Sequence, residues 1–156
     1  MLMNWLNRKV AESPYKLAIV GGIVISIVAS TVMGTIQSWL PSFDSKGLEA
    51  VDQFLSGPPV FAAILLFTII IVSPLIEELL FRKFLWWISS LIFSPITTLF
   101  IISILFAAIH GSLFHAIGLI PISFFLGWLR MKTGSIKHCN VAHIANNAAA
   151  SVFFFL

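Results

Sequence analysis

Three groups of polar residues interrupt otherwise apolar stretches of this 156-residue chain. The first is Glu77-Glu78-Leu79-Leu80-Phe81-Arg82, the second runs from Phe106 to His110, and the third from His143 to Asn147. In each, two of the notable residues stand four apart, which places them on one face of a helix. Glu78 and Arg82 are in the favourable order for a helical ion pair, carboxylate before guanidinium. Adjacent helical residues point about 100° apart, so Glu77 is left as the unpaired carboxylate. Such a group in an apolar setting suits general-base chemistry. Taken alone, Glu77, Glu78 and Arg82 fit a structural ion-pair knot equally well. His143 and Asn147 are harder to read as incidental, because lipid offers a polar side chain no partner. Phe106 and Ser151 read as packing and interhelical contact, Asn146 as pointing away to a neighbouring helix, and His115 and His138 as residues near span ends.

The elements that must position these groups follow from composition. Hydrophobic residues make up 59% of the chain and charged residues 10%, with mean hydropathy +1.04, against about 25% charged in ordinary soluble domains. The stretches 17–43, 53–76, 84–129 and 138–156 hold no Asp, Glu, Lys or Arg. A span needs about 20 apolar residues, so the chain reads as an all-α, polytopic membrane protein with about five transmembrane helices: 17–40, 59–82, 96–112, 114–131 and 138–156. The apolar run after Arg8, Lys9 and Lys16 is too long for a cleaved leader and reads as a retained helix. The whole chain, 1–156, forms one integral-membrane domain, with the motif-bearing core at 59–156. With the N-terminus in the cytoplasm of a multi-pass cell-membrane protein, eight basic residues fall inside (Arg8, Lys9, Lys16, Arg82, Lys83, Arg130, Lys132, Lys137) and only Lys46 outside, as the positive-inside bias requires. The net charge of +3 therefore reflects topology and not a nucleic-acid partner, and the single Cys139 excludes an internal disulfide.

Residues 41–58 carry Leu48, Val51, Phe54 and Leu55 at helical spacing and read as a short amphipathic surface helix. Trp86 and Trp87 beside Arg82 and Lys83 read as interfacial anchors. Residues 84–93 either lie at the interface or continue the second helix. Glu77 and His110 are equidistant from a turn at Ser94-Pro95, so a hairpin there brings them to one level. An interfacial 84–93 would instead separate them. His143 lies about 13 Å into the last helix from Gly134, at about 1.5 Å per residue.

Pro74-Leu75-Ile76-Glu77-Glu78 with Arg82 resembles the EExxxR motif of the CAAX protease and bacteriocin-processing family, also called the abortive-infection family, which includes the Rce1-type prenyl-protein endopeptidases. Phe106-x-x-x-His110 resembles its FxxxH motif and His143-x-x-x-Asn147 its HxxxN motif. Leu126-Gly127-Trp128 and Thr133-Gly134-Ser135 are similar to the segment before the last motif. The resemblance implies a helical intramembrane glutamate protease in which Glu77 and His110 activate a water while His143 and Asn147 stabilise the oxyanion. Glu78, Arg82 and Phe106 would support them. It implies no metal. The competing reading is zinc held by Glu77, His110 and His143, although His-Glu-x-x-His spacing is absent.

The implied partners are the bilayer and a peptide or protein substrate, either lipidated or a bacteriocin precursor. Gly21, Gly22 and Ala29 permit a homo-oligomer. The non-enzymatic alternative is a bacteriocin self-immunity or interaction protein on the same scaffold. Lys83, where the family commonly has Gly, and the short chain motivate it. A transporter would require internal repeats, which the sequence lacks.

Overall fold

The structure is a computed structural model that describes residues 12–39, 56–111 and 113–155. The amphipathic helix expected at 41–58 lies almost wholly outside the described residues. Among the described residues five helices build the fold and no strand occurs. They are α1 (Pro14–Trp39), α2 (Pro59–Ser90), α3 (Pro95–Ala108), α4 (Leu113–Thr133) and α5 (Ile136–Phe155). By length and composition α1, α2 and α4 can each cross a membrane, while α3 is apolar but shorter. α5 is weakened as an apolar span by Lys137, Asn140, His143, Asn146 and Asn147.

The boundaries follow local chemistry. Pro59 opens α2 and Pro95 opens α3, where a missing N–H costs nothing. Ser94 caps α3, its hydroxyl accepting from the Thr97 N–H at 3.2 Å. Gly134, at φ 67°, ends α4 in the left-handed conformation that only glycine adopts freely, with its N–H on the Arg130 carbonyl at 2.9 Å. α2 runs unbroken to Ser90, so residues 84–90 continue the helix and the reversal falls at 91–94. Glu77 is then 13 residues from the end of α2, roughly 20 Å, and His110 15 residues from the start of α3, roughly 22 Å. One level serves both.

Within α2 two segments, Thr68–Val72 and Leu79–Leu85, widen to π geometry. The first precedes Pro74. Ser73 N–H bonds to Thr68 O, five residues back. In that register the next donor would be Pro74, which has no N–H. The Ile69 carbonyl is thereby left for a side chain. π segments of this kind recur at functional sites.

Packing is inverted relative to a soluble protein. Val20, Phe67, Ile92, Phe100 and Ile104 are among many exposed apolar side chains, whereas Glu78, Arg82, Thr98, Ser103 and Ser123 are fully buried. One core joins α1, α4 and α5 through Ala18, Ile122, Leu126, Leu129, Cys139 and Ala142. A second joins α2 and α3 through Phe81, Trp86, Leu99, Ile102 and Phe106. Trp86 is thus a core residue and not the interfacial anchor expected of it, because its neighbour Trp87 takes the outward face. Gly21 and Gly22 are used within the chain. A Cβ on Gly22 would lie 2.2 Å from the Ala142 carbonyl oxygen, and one on Gly21 would lie 2.2 Å from the Phe125 ring. Only a bare backbone lets α1 approach α5 this closely.

Candidate active site

α2 presents Glu77 and Glu78 in different directions, as adjacent helical residues must. Glu78 is fully buried, and Arg82 Nη1 lies 3.2 Å from its Oε1. This is the pairing expected from the i,i+4 spacing. The rest of the Arg82 environment is long-range. Its Nη2 donates to Ser123 Oγ at 2.9 Å and to the Ser123 carbonyl at 3.2 Å. Ser103 and Ser123 donate to each other's carbonyls across α3 and α4. The guanidinium lies 4.2 Å over the Phe106 ring, a cation–π contact in a dry site. Phe106 also meets His143 edge-on at 5.6 Å and touches His110 at 4.7 Å. Phe106 therefore organises the charged residues as well as packing.

Glu77 is the open carboxylate. Its Oε1 accepts from Ser73 Oγ, one turn earlier. Its Oε2 lies 3.8 Å from His110 Nε2 and 3.7 Å from His143 Nε2. These separations exceed direct hydrogen bonding and suit a single bridging water. Glu77 and His110 keep 22% and 28% side-chain exposure, while His143 keeps 4%. The accessible side of the group is therefore the Glu77–His110 side.

The far nitrogens fix the histidines. His110 Nδ1 is 2.7 Å from the Phe106 carbonyl, which can only accept, so Nδ1 carries the proton and Nε2 presents a lone pair to Glu77. His143 Nδ1 is 3.0 Å from Glu78 Oε1. That carboxylate likewise takes the Nδ1 proton, so Nε2 donates only when the ring carries a second proton, a charge that Glu78 is placed to balance.

Asn147 reaches α2 as well, its Nδ2 donating to the Ile69 carbonyl at 3.0 Å. This is the carbonyl that Pro74 leaves without a backbone donor. Asn146, expected to point to another helix, does line the side toward α1 and α4, but its Nδ2 also donates to Asn147 Oδ1 at 3.1 Å. His115 and His138 stand apart from the group. His115 lines a cavity between α1 and α4, and His138 stacks on Tyr15 at 4.5 Å. Among the described residues, no set of three or more His, Cys, Asp or Glu has a metal-holding arrangement.

Glu77, His110 and His143 are thus brought together from α2, the turn after α3, and α5, with Glu78, Arg82 and Phe106 in contact with the histidines or with one another. Asn147, one turn beyond His143, meets α2 at the Ile69 carbonyl. Three contributors were missed in the sequence. Ser73 stands four before Glu77, a spacing that could have revealed it. Ser123 and the Ile69 carbonyl carry no local signal. A family model described as type II CAAX prenyl endopeptidase Rce1-like matches residues 59–149, more than half of the chain. No curated protein and no solved structure matches the chain.

Proposed function

From this chain's membership of the type II CAAX prenyl endopeptidase Rce1-like family, we propose that it is an intramembrane endopeptidase in which Glu77 is the general base. The observation that carries the reading is the convergence of His110 Nε2 and His143 Nε2 on Glu77 Oε2 at 3.8 and 3.7 Å. A water held among them donates to Glu77 and to the His110 lone pair, and its oxygen attacks the scissile carbonyl carbon. Glu77 takes the water proton. The carbonyl oxygen becomes an oxyanion and accepts hydrogen bonds from the Nε2–H of His143 in its doubly protonated form and from the Asn147 amide N–H. Collapse of the intermediate breaks the C–N bond, and Glu77 passes its proton to the leaving amine. The second water proton stays on the new carboxylic acid and passes to the amine, so the products are a carboxylate and an ammonium group, and atoms and charge balance. Glu78 orients His143, and Arg82 holds Glu78.

The substrate is a peptide or protein at the membrane. Prenylation is a property of the family name and is left to the assay. We place the protein in the cell membrane as a multi-pass protein, N-terminus inside, on the eight-to-one bias of its basic residues.

The test uses the full chain in lipid nanodiscs with a mixed library of prenylated and unprenylated peptides, cleavage being read by mass spectrometry. Glu77→Gln should reduce cleavage by about 10²–10⁴-fold while the protein still folds, and a zinc chelator should leave the wild type unaffected. Undiminished cleavage by Glu77→Gln would overturn the base assignment. Loss under the chelator with recovery on added zinc would favour zinc on Glu77, His110 and His143.

A further inference from the structure

We propose that Asn146 is a positioning residue that fixes which way the Asn147 amide faces; this rests on the oxyanion role given to Asn147 above. A primary amide has an oxygen end and a nitrogen end of nearly the same shape, so a helix alone does not decide which end faces the reacting carbonyl. Two contacts decide it in this protein. Asn146 Nδ2 donates to Asn147 Oδ1 at 3.1 Å, and Asn147 Nδ2 donates to the Ile69 carbonyl at 3.0 Å. With Asn146 as it stands, a flipped Asn147 loses both contacts, since two donors would face each other at Asn146 and two acceptors at Ile69; the Ile69 carbonyl sets the direction and Asn146 locks it. One N–H of Asn147 remains uncommitted in the observed orientation, and that is the hydrogen available to an oxyanion.

Asn146 is itself held firmly. It is 7% exposed, and its backbone lies close against α1, where a Cβ added to Gly22 would come within 3.2 Å of the Asn146 nitrogen. Its side chain borders a cavity of about 510 Å³ between α1, α4 and α5, whose walls include Ser26, Gly118 and Ala150. The Ser26 hydroxyl, also buried, has no hydrogen-bond partner among the described residues. The cavity leaves room for an apolar side chain of equal size at position 146, so Asn146→Leu removes the donor without overfilling the core. Asn146→Asp is a near-isostere that turns the donor into an acceptor aimed at Asn147 Oδ1.

Positioning predicts a kinetic signature that a packing role would not give. With the peptide library in nanodiscs, Asn146→Leu should lower kcat by about tenfold and leave KM unchanged, the pattern of an interaction used only in the transition state. Asn146→Asp should be lower still. In an Asn147→Ala background the Asn146→Leu effect should vanish, because there is no amide left to orient. An equal loss in both backgrounds, or a change confined to KM, overturns the proposal.

A second measurement does not depend on turnover. The chain has five asparagines, so the side-chain amide resonances of ¹⁵N-Asn protein in nanodiscs can be assigned by substitution. The Asn147 amide should exchange slowly with solvent in the wild type and rapidly in Asn146→Leu. Unchanged exchange overturns the positioning role even if no peptide is cleaved. Cleavage insensitive to Glu77→Gln, with the exchange change intact, removes the catalytic reading and leaves the amide lock standing.

Discussion

Replacing Arg82 with methionine should expose how much of this fold rests on one buried cation. The guanidinium is fully buried, pairs with Glu78 Oε1 at 3.2 Å, donates twice to Ser123 and covers the Phe106 ring at 4.2 Å. Methionine fills most of that space and leaves Glu78 as a buried carboxylate without its fixed cation. Breaking one partner of a buried pair costs about 3–5 kcal/mol. Glu78 Oε2 and Arg82 Nε have no hydrogen-bond partner among the described residues, so the pair is imperfectly satisfied and the lower end, about 3 kcal/mol, is expected. Adding Glu78→Gln removes the stranded charge and should recover at least about 2 kcal/mol of that loss. The double variant should nevertheless cleave poorly, because the His143 Nδ1 proton has then lost its carboxylate acceptor. The assay is equilibrium unfolding by denaturing detergent in mixed micelles, alongside peptide cleavage in nanodiscs. A loss below about 1 kcal/mol for Arg82→Met, or a double variant no more stable than the single one, would refute the view that Arg82 exists to neutralise Glu78.

Two further outcomes follow from the packing and the topology. Gly22→Leu should separate α1 from α5 and reduce both stability and cleavage, with about 2 kcal/mol or more lost in the same unfolding assay, whereas Gly34→Ala, where an added Cβ meets nothing within 4 Å, should change neither; equal effects would sink the close-approach account. Lys46→Cys in intact cells should react with a membrane-impermeant thiol reagent and Lys132→Cys should not; the reverse pattern inverts the proposed orientation.

What the sequence disclosed was what helical periodicity carries. The Glu78–Arg82 pair follows from i,i+4 spacing and the five helices from charge-free length. The meeting of Glu77 with His110 follows from the hairpin at Ser94-Pro95, and that with His143 from its depth in the last helix and the family resemblance. The misreadings have a common cause in rotation about a helix axis. Trp86 and Trp87 are neighbours in sequence but face a core and the exterior, and composition does not say which faces which. Asn146 and Asn147 diverge as adjacent residues should, yet their side chains are long enough to meet. Ser123 stays invisible because its link to Arg82 spans 41 positions, and the spare Ile69 carbonyl because it needs both Pro74 and a widened turn before it. The range 96–112, expected as a span, stops being helical at Ala108, and the turn beyond it is what lets His110 swing toward Glu77.

The bond from Asn147 to Ile69 also bears on how the molecule is assembled. A carbonyl without a donor inside a bilayer costs several kcal/mol, and α2 carries one from the moment it is made. α5 is synthesised later and is the least lipid-soluble of the long helices, so on its own it has weak reason to enter the membrane. Each lacks what the other supplies: an acceptor seeking a donor, and polar side chains seeking shelter. Docking satisfies both needs in one event, and the same event completes the candidate active site. A chain that misplaced its last helix would lack both the donor for Ile69 and the His143 side of the candidate site, so correct insertion and completion of the site depend on the same docking.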